Sequence, residues 1–289
     1  MAYAVFIEPF TEFAFMQRAL LGALMLSVGA GPVGVFLMLR RMSLTGDAMA
    51  HAILPGAAAG FLIFGLELLP MTIGGLIAGI IVALGAGAVA RLTIQKEDAS
   101  MAAFYLISLA IGVVLVSLRG SNIDLMHVLF GTVLALNDEA LALIALVTGI
   151  SAASLLLFRR AFIADCLDPL FLRSVSRLGT PTHFLFLGLV VLNLVAGFQA
   201  LGTLLSVGLM ILPAAAARFW TRRVETTCLL VIAIGALSSV SGLLLSYHAA
   251  LPSGPAIILS AGVVYAASVL AGPRGLFAPH LPHPTHRTA

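Results

Sequence analysis

The sequence predicts an all-α fold, a polytopic bundle of about eight or nine transmembrane helices. Three observations carry that expectation. Of the 289 residues, 61% are hydrophobic and 9% charged, whereas a soluble domain needs about 25% charged residues. Mean hydropathy is +1.13, so most of the chain faces lipid rather than water. The apolar runs are long, rich in Leu, Ala, Val and Gly, and lack the two-residue alternation of a membrane barrel. Helices then remain as the structure that pairs every backbone polar group inside hydrocarbon.

A span takes about 20 mostly apolar residues to cross roughly 30 Å of hydrocarbon. Glu8 and Glu12 stand where a cleavable signal would be basic, so the first apolar run is read as a helix of the mature protein. Hydropathy, with Gly, Pro and charge as punctuation, places spans at 14–39, 51–66, 70–90, 101–118, 138–158, 183–200, 202–218, 226–247 and 255–272. The Gly-punctuated 183–218 region decides between eight and nine. Segment 121–137 is too short and polar to span and reads as a surface or re-entrant helix. Residues 1–272 make one membrane domain, followed by a His- and Pro-containing tail over 273–289.

This threading puts Arg40, Arg41, Arg91, Lys96, Arg159, Arg160, Arg173, Arg177, Arg218, Arg222, Arg223, Arg274 and Arg287 on one side. Only Arg18 and Arg119 fall on the other. By the positive-inside rule the N-terminus is outside and the C-terminus cytoplasmic. The net charge of +3 is scattered over loops, which excludes a nucleic-acid partner. Cys166 and Cys228 give no reason to expect a disulfide. Gly75, Gly79, Ala83 and Gly87 form a small-residue stripe that suits close helix packing, read as packing within the bundle with a dedicated dimer contact as the alternative.

Ionisable groups inside a membrane are costly and are functional candidates by default. Arg40 to Gly56 reads RRMSLTGDAMAHAILPG. Asp47 and His51, four apart, share one helical face. With Arg41 at the interface, His51 lies about 15 Å deeper, near mid-bilayer. Pro55 removes the hydrogen bond to the His51 carbonyl. A carboxylate, an imidazole and a carbonyl suit a divalent transition metal. The alternative is an Asp–His pair that only braces the bundle.

Other histidines carry less. His127 follows Asp124 by three residues in the short outer segment and reads as an interface anchor, and His183 as a helix-boundary residue. His248 stands at the outer mouth before Leu251-Pro252-Ser253-Gly254-Pro255, as a possible entry ligand. His280, His283 and His286 belong to the solvated tail. The single lysine, Lys96, precedes Glu97, so no GxxxxGK[ST] phosphate loop exists and ATP hydrolysis is not expected on this chain. With no HExxH and no nucleophile elbow, a membrane protease is excluded as well.

Four ordered stretches carry a resemblance: Met42–Gly56, Ile123–Gly131, Leu201–Arg218 and Pro252–Pro255. Together they resemble the zinc/manganese permeases of bacterial ATP-binding-cassette importers, the ABC-3 family, from about residue 15 to 272. The resemblance implies a type II ABC importer permease fold and a homodimer in the bacterial inner membrane. It also implies two copies of a separate ATPase and an extracytoplasmic metal-binding protein that delivers the ion. The family's in-pathway ligands fall on Asp47 and His51. No resident cofactor is implied; the metal is cargo, with zinc favoured over manganese or iron by the Irving–Williams order. Many relatives carry an acid where this chain has Ala250, which puts that carboxylate's role in doubt unless His248 replaces it.

The competing function is an autonomous secondary transporter or channel, which should show internal repeats or several proton-coupling acids. This chain offers one such acid, Asp47, and no obvious repeat. The longest loop on the basic side, about 160–180, is expected to dock the ATPase, where relatives place their coupling helix. In it Asp168 N-caps a short helix with Pro169 first, Leu170, Phe171 and Val175 form its apolar face, and Gly179 follows its end.

Overall fold

The computed structural model describes residues 8–65, 67–118, 136–176 and 179–277. Most of the 121–137 segment, with Asp124 and His127, lies outside the described residues, as do His280, His283 and His286.

The described chain is helical from end to end. A short α1 (Glu8–Glu12) leads into α2 (Ala14–Leu39), α3 (Ser43–Ala52), α4 (Leu54–Phe64), α5 (Leu68–Leu92) and α6 (Glu97–Leu118). After the undescribed stretch come α7 (Asp138–Leu157), α8 (Arg159–Leu167), α9 (Pro169–Val175), α10 (Gly179–Leu201), α11 (Thr203–Ala217), α12 (Val224–Ala249) and α13 (Ser253–Ala271).

Eight stretches are long and apolar enough to cross a membrane, counting α3 and α4 together as Ser43–Phe64. The ninth expected span is α11, whose 15 residues rise about 22 Å, short of the roughly 30 Å of hydrocarbon. The second span begins at Ser43 rather than at 51. Hydropathy misplaced that start because Ser43, Thr45, Gly46 and Asp47 are polar or small, although the backbone there is already helical.

α2 and α10 are the most buried of the long helices. α2 packs against α7, α11 and α12, and α10 against α5 and α7. Polar side chains pin these contacts inside the apolar bundle, where interhelical hydrogen bonds supplement van der Waals packing. Thr148 Oγ1 of α7 donates to the Met25 carbonyl at 2.9 Å, and Asn193 Nδ2 of α10 donates to Ser151 Oγ at 2.7 Å. The glycine stripe on α5 packs within the chain. A Cβ at Gly75 would crowd Ile53, and one at Gly79 would crowd Val191 and Ile53.

The two ends of the bundle differ in charge. Arg159 binds Glu225 at 2.7 Å, Arg218 reaches the Met38 carbonyl, and Arg274 donates to the Thr221 carbonyl at 3.0 Å. These contacts gather the C-terminal ends of α2, α7, α11 and α13 at one Arg-rich end. At the opposite end Arg18 pairs with Asp138 at 3.0 Å, and the Phe13 ring lies 5.7 Å from that of Tyr247.

Candidate functional site

A sharp corner sets the position of α3. Arg40 caps α2, and Arg41 turns the chain in the left-handed region at φ 61°, a conformation costing about 1–2 kcal/mol for a residue with a Cβ. Packing compensates, because Met42 is buried and its N–H donates to the Leu37 carbonyl at 2.9 Å. From there α3 buries Thr45, Gly46, Met49, Ala50 and Ala52.

The strip at i, i+3, i+4 and i+7 is the least covered face of α3, with Leu44 and Asp47 exposed and Ala48 and His51 partly covered. The Asp47 side chain is 65% exposed and that of His51 29%, with Oδ1 and Nε2 4.0 Å apart. The spacing in sequence does bring the two to one face. That separation is beyond hydrogen-bond reach. Among the described residues no third His, Cys, Asp or Glu joins them.

α3 stops at Ala52, the Ile53 N–H points back at the His51 carbonyl, and Pro55, which has no N–H to donate, lies in the first turn of α4. Ser108 of α6 donates its hydroxyl to the Ala52 carbonyl at 2.9 Å, covering the break from the other side.

The segment beyond α7 folds as two short helices. Asp168 caps α9 as predicted: its Oδ1 accepts the Phe171 N–H at 2.9 Å, with Pro169 at the first position. Leu172 turns inward, while Phe171 and Val175 are 59% and 70% exposed on one helical face. Gly179 departs from expectation. It does not end α9 but is the buried first residue of α10.

Sequence reasoning missed the most buried charges among the described residues. Arg40 and Asp165, 6% and 4% exposed, form a salt bridge between the end of α2 and α8. Arg40 Nη1 donates to His183 Nδ1 at 3.1 Å, and the guanidinium lies 4.1 Å from the centre of the Phe186 ring. His183 is therefore buried in this cluster, more than a boundary residue. Beneath it Phe162 of α8 meets Phe36 at 5.7 Å and Phe186 at 6.2 Å. Cys166 adjoins the pair; burial pushes its thiol above the ordinary value, and the Arg40 guanidinium pulls against that. No signal in the sequence distinguished Asp165 from Asp168, the other acid of the same stretch.

His248 is exposed in the last turn of α12, at the end of the bundle opposite the Arg40 corner, with its ring edge-on to Tyr247 at 5.2 Å. Ala250 beside it adopts a left-handed cap at φ 51°.

Comparison with known proteins agrees with this architecture. The profile of the ABC 3 transport family matches residues 12–272. The manganese import system permease protein ScaB of Streptococcus gordonii is 33% identical over 270 residues, covering 93% of this chain and 95% of that protein. The chelated iron transport system membrane protein YfeD of Yersinia pestis is 30% identical over 273 residues, covering 93% and 89%. Among solved structures, PsaBC from Streptococcus pneumoniae in complex with Fab superposes with a TM-score of 0.83 at 31% identity, covering 95% of this chain and 98% of that one.

Proposed function

The chain belongs to the ABC 3 transport family, and on that premise we propose that it is the membrane permease of an importer for divalent transition metal ions, driven by a separate ATPase. The observation that carries this reading is the uncovered Asp47–His51 face. A carboxylate 65% exposed on a membrane-spanning segment is too costly to meet lipid. It must face a water-filled path or a second chain.

Two donors from one protomer cannot replace the hydration shell of a divalent ion. A second copy of the chain across a shared axis doubles the set to two carboxylates and two imidazoles. Two carboxylates offset the ion's charge, and neutral imidazoles add nitrogen donors. Imidazole ligates only when unprotonated, so acid opposes loading. An ion entering hydrocarbon without such fixed donors pays a desolvation cost far beyond one side chain.

Manganese stands first as cargo, because relatives covering nearly the whole chain are named for manganese, with iron named for another. Zinc, favoured by site chemistry alone, binds the same donors more tightly and should compete. The Arg-rich end is cytoplasmic by the positive-inside rule. There the Phe171–Val175 face docks one of two ATPase copies, which carry the ATP hydrolysis. An extracytoplasmic metal-binding protein delivers the ion to the opposite end, where His248 lines the mouth.

The test is ATP-dependent 54Mn2+ uptake into proteoliposomes holding permease and ATPase. Asp47→Ala and His51→Ala should each lower uptake at least 100-fold while dimer and ATPase binding persist. Parental uptake rates in both variants would remove the ligand assignment. Uptake by the permease alone would favour a channel.

A further inference from the structure

We propose that the buried Arg40–Asp165 pair is the link through which α8 and α9 set the position of α3, making Arg40 and Asp165 positioning residues for transport. The inference rests on the function proposed above and adds the route between its two ends.

The covalent neighbourhood of each partner defines that route. Asp165 sits in the last turns of α8, three residues before Asp168, the residue that caps α9 and its exposed Phe171–Val175 face. Arg40 caps α2, and beyond the Arg41 corner α3 begins at Ser43, carrying Asp47 and His51. One ion pair thus bridges the exposed apolar helix and the uncovered donor face.

Its setting makes the bridge stiff. Both side chains are almost fully buried, so the attraction is little weakened by water or salt. The guanidinium is held on two further sides, by His183 Nδ1 and by the Phe186 ring, both on α10. Phe36, Phe162 and Phe186 meet through tilted and edge-on ring contacts that tie α2, α8 and α10 beneath it. A displacement of α8 cannot be absorbed by solvent, so it is passed to Arg40 and the corner. The Arg159–Glu225 pair shows the opposite case: it is largely exposed and can slip without moving a helix.

Stability alone does not account for such a pair. A well-packed apolar pair of similar volume is often as stable as a buried ion pair, because burying two charges forfeits their hydration. Here the Arg40 Nε is buried without a hydrogen-bond partner among the described residues, so even the pair's own bonding is incomplete. What charge supplies and apolar packing does not is one preferred geometry between α2 and α8.

The experiment compares metal transported per ATP hydrolysed, in the reconstituted complex, for the parent, Arg40→Met/Asp165→Leu and Arg40→Lys. The apolar double variant leaves no uncompensated charge and should assemble with the ATPase. It should bind Mn2+ in detergent as the parent does and hydrolyse ATP within twofold of the parent, while metal per ATP falls at least tenfold. Arg40→Lys keeps the charge but loses the planar fork and should fall about threefold. A double variant that transports at the parental ratio overturns the link while leaving the permease assignment intact. If the double variant does not assemble, Arg40→Lys decides, and a parental ratio there overturns the link as well. A parental complex that moves no metal refutes the proposed function and the link with it.

Discussion

Two charged clusters lie within a dozen residues of each other in the chain and are built in opposite ways. Around Arg40 the partners come from α2, α8 and α10 of the same chain, and the charges are buried and paired. On α3, Asp47 and His51 stand uncovered and 4.0 Å apart. The first cluster finds an opposite charge within the chain and away from water; the second stays open on one side. Buried charge with a partner in the same chain constrains geometry, whereas exposed charge on a membrane helix requires something outside it. A helix that is costly on its own in lipid becomes reasonable once a second copy or a hydrated ion covers it.

The largest effect that separates the clusters is on folding. Asp165→Ala strands the Arg40 guanidinium in a buried site and should cost about 3–5 kcal/mol. Asp47→Ala, which removes an exposed group, should stay within about 0.5 kcal/mol. Thermal unfolding in detergent measures both, and equal losses would erase the distinction. Next, Phe171→Asp with Val175→Asp should abolish co-purification of the ATPase while leaving permease unfolding unchanged, since both side chains point outward. Undiminished assembly would move the docking surface elsewhere.

A smaller effect concerns the thiol beside the buried pair. In a Cys228→Ser background, Cys166 should react with maleimide several-fold more slowly than an exposed thiol, because burial raises its pKa and depletes thiolate. Reaction at the rate of a surface cysteine would mean the pair is open to water. The smallest effects belong to the two left-handed corners. Arg41→Gly and Ala250→Gly should each stabilise by about 0.5–1 kcal/mol at most, relieving the Cβ strain at φ 61° and 51°. Measured destabilisation at Arg41 would show that its side chain contributes more than its backbone costs.

Much of this was legible in the residues, and the misses have definite causes. The i, i+4 spacing of Asp47 and His51 requires one face on any helix, and Asp168-Pro169 encodes a helix start locally. The start of the second span was lost because hydropathy scores side chains, while a helix end is decided by backbone bonding and by packing against α5 and α6. Gly179 read as a helix stop because glycine commonly ends helices, yet here it is the buried first residue of α10.

The sequence by itself determined the helical class, the approximate spans, the sign of the two ends and the shared face of Asp47 and His51. Each follows from local periodicity or from the cost of charge in lipid, and neither depends on distant partners. Only the tertiary structure decided that Arg40, Asp165 and His183 meet. Those residues come from helices up to 143 positions apart in the chain, and no local pattern records which side chains close packing will bring together.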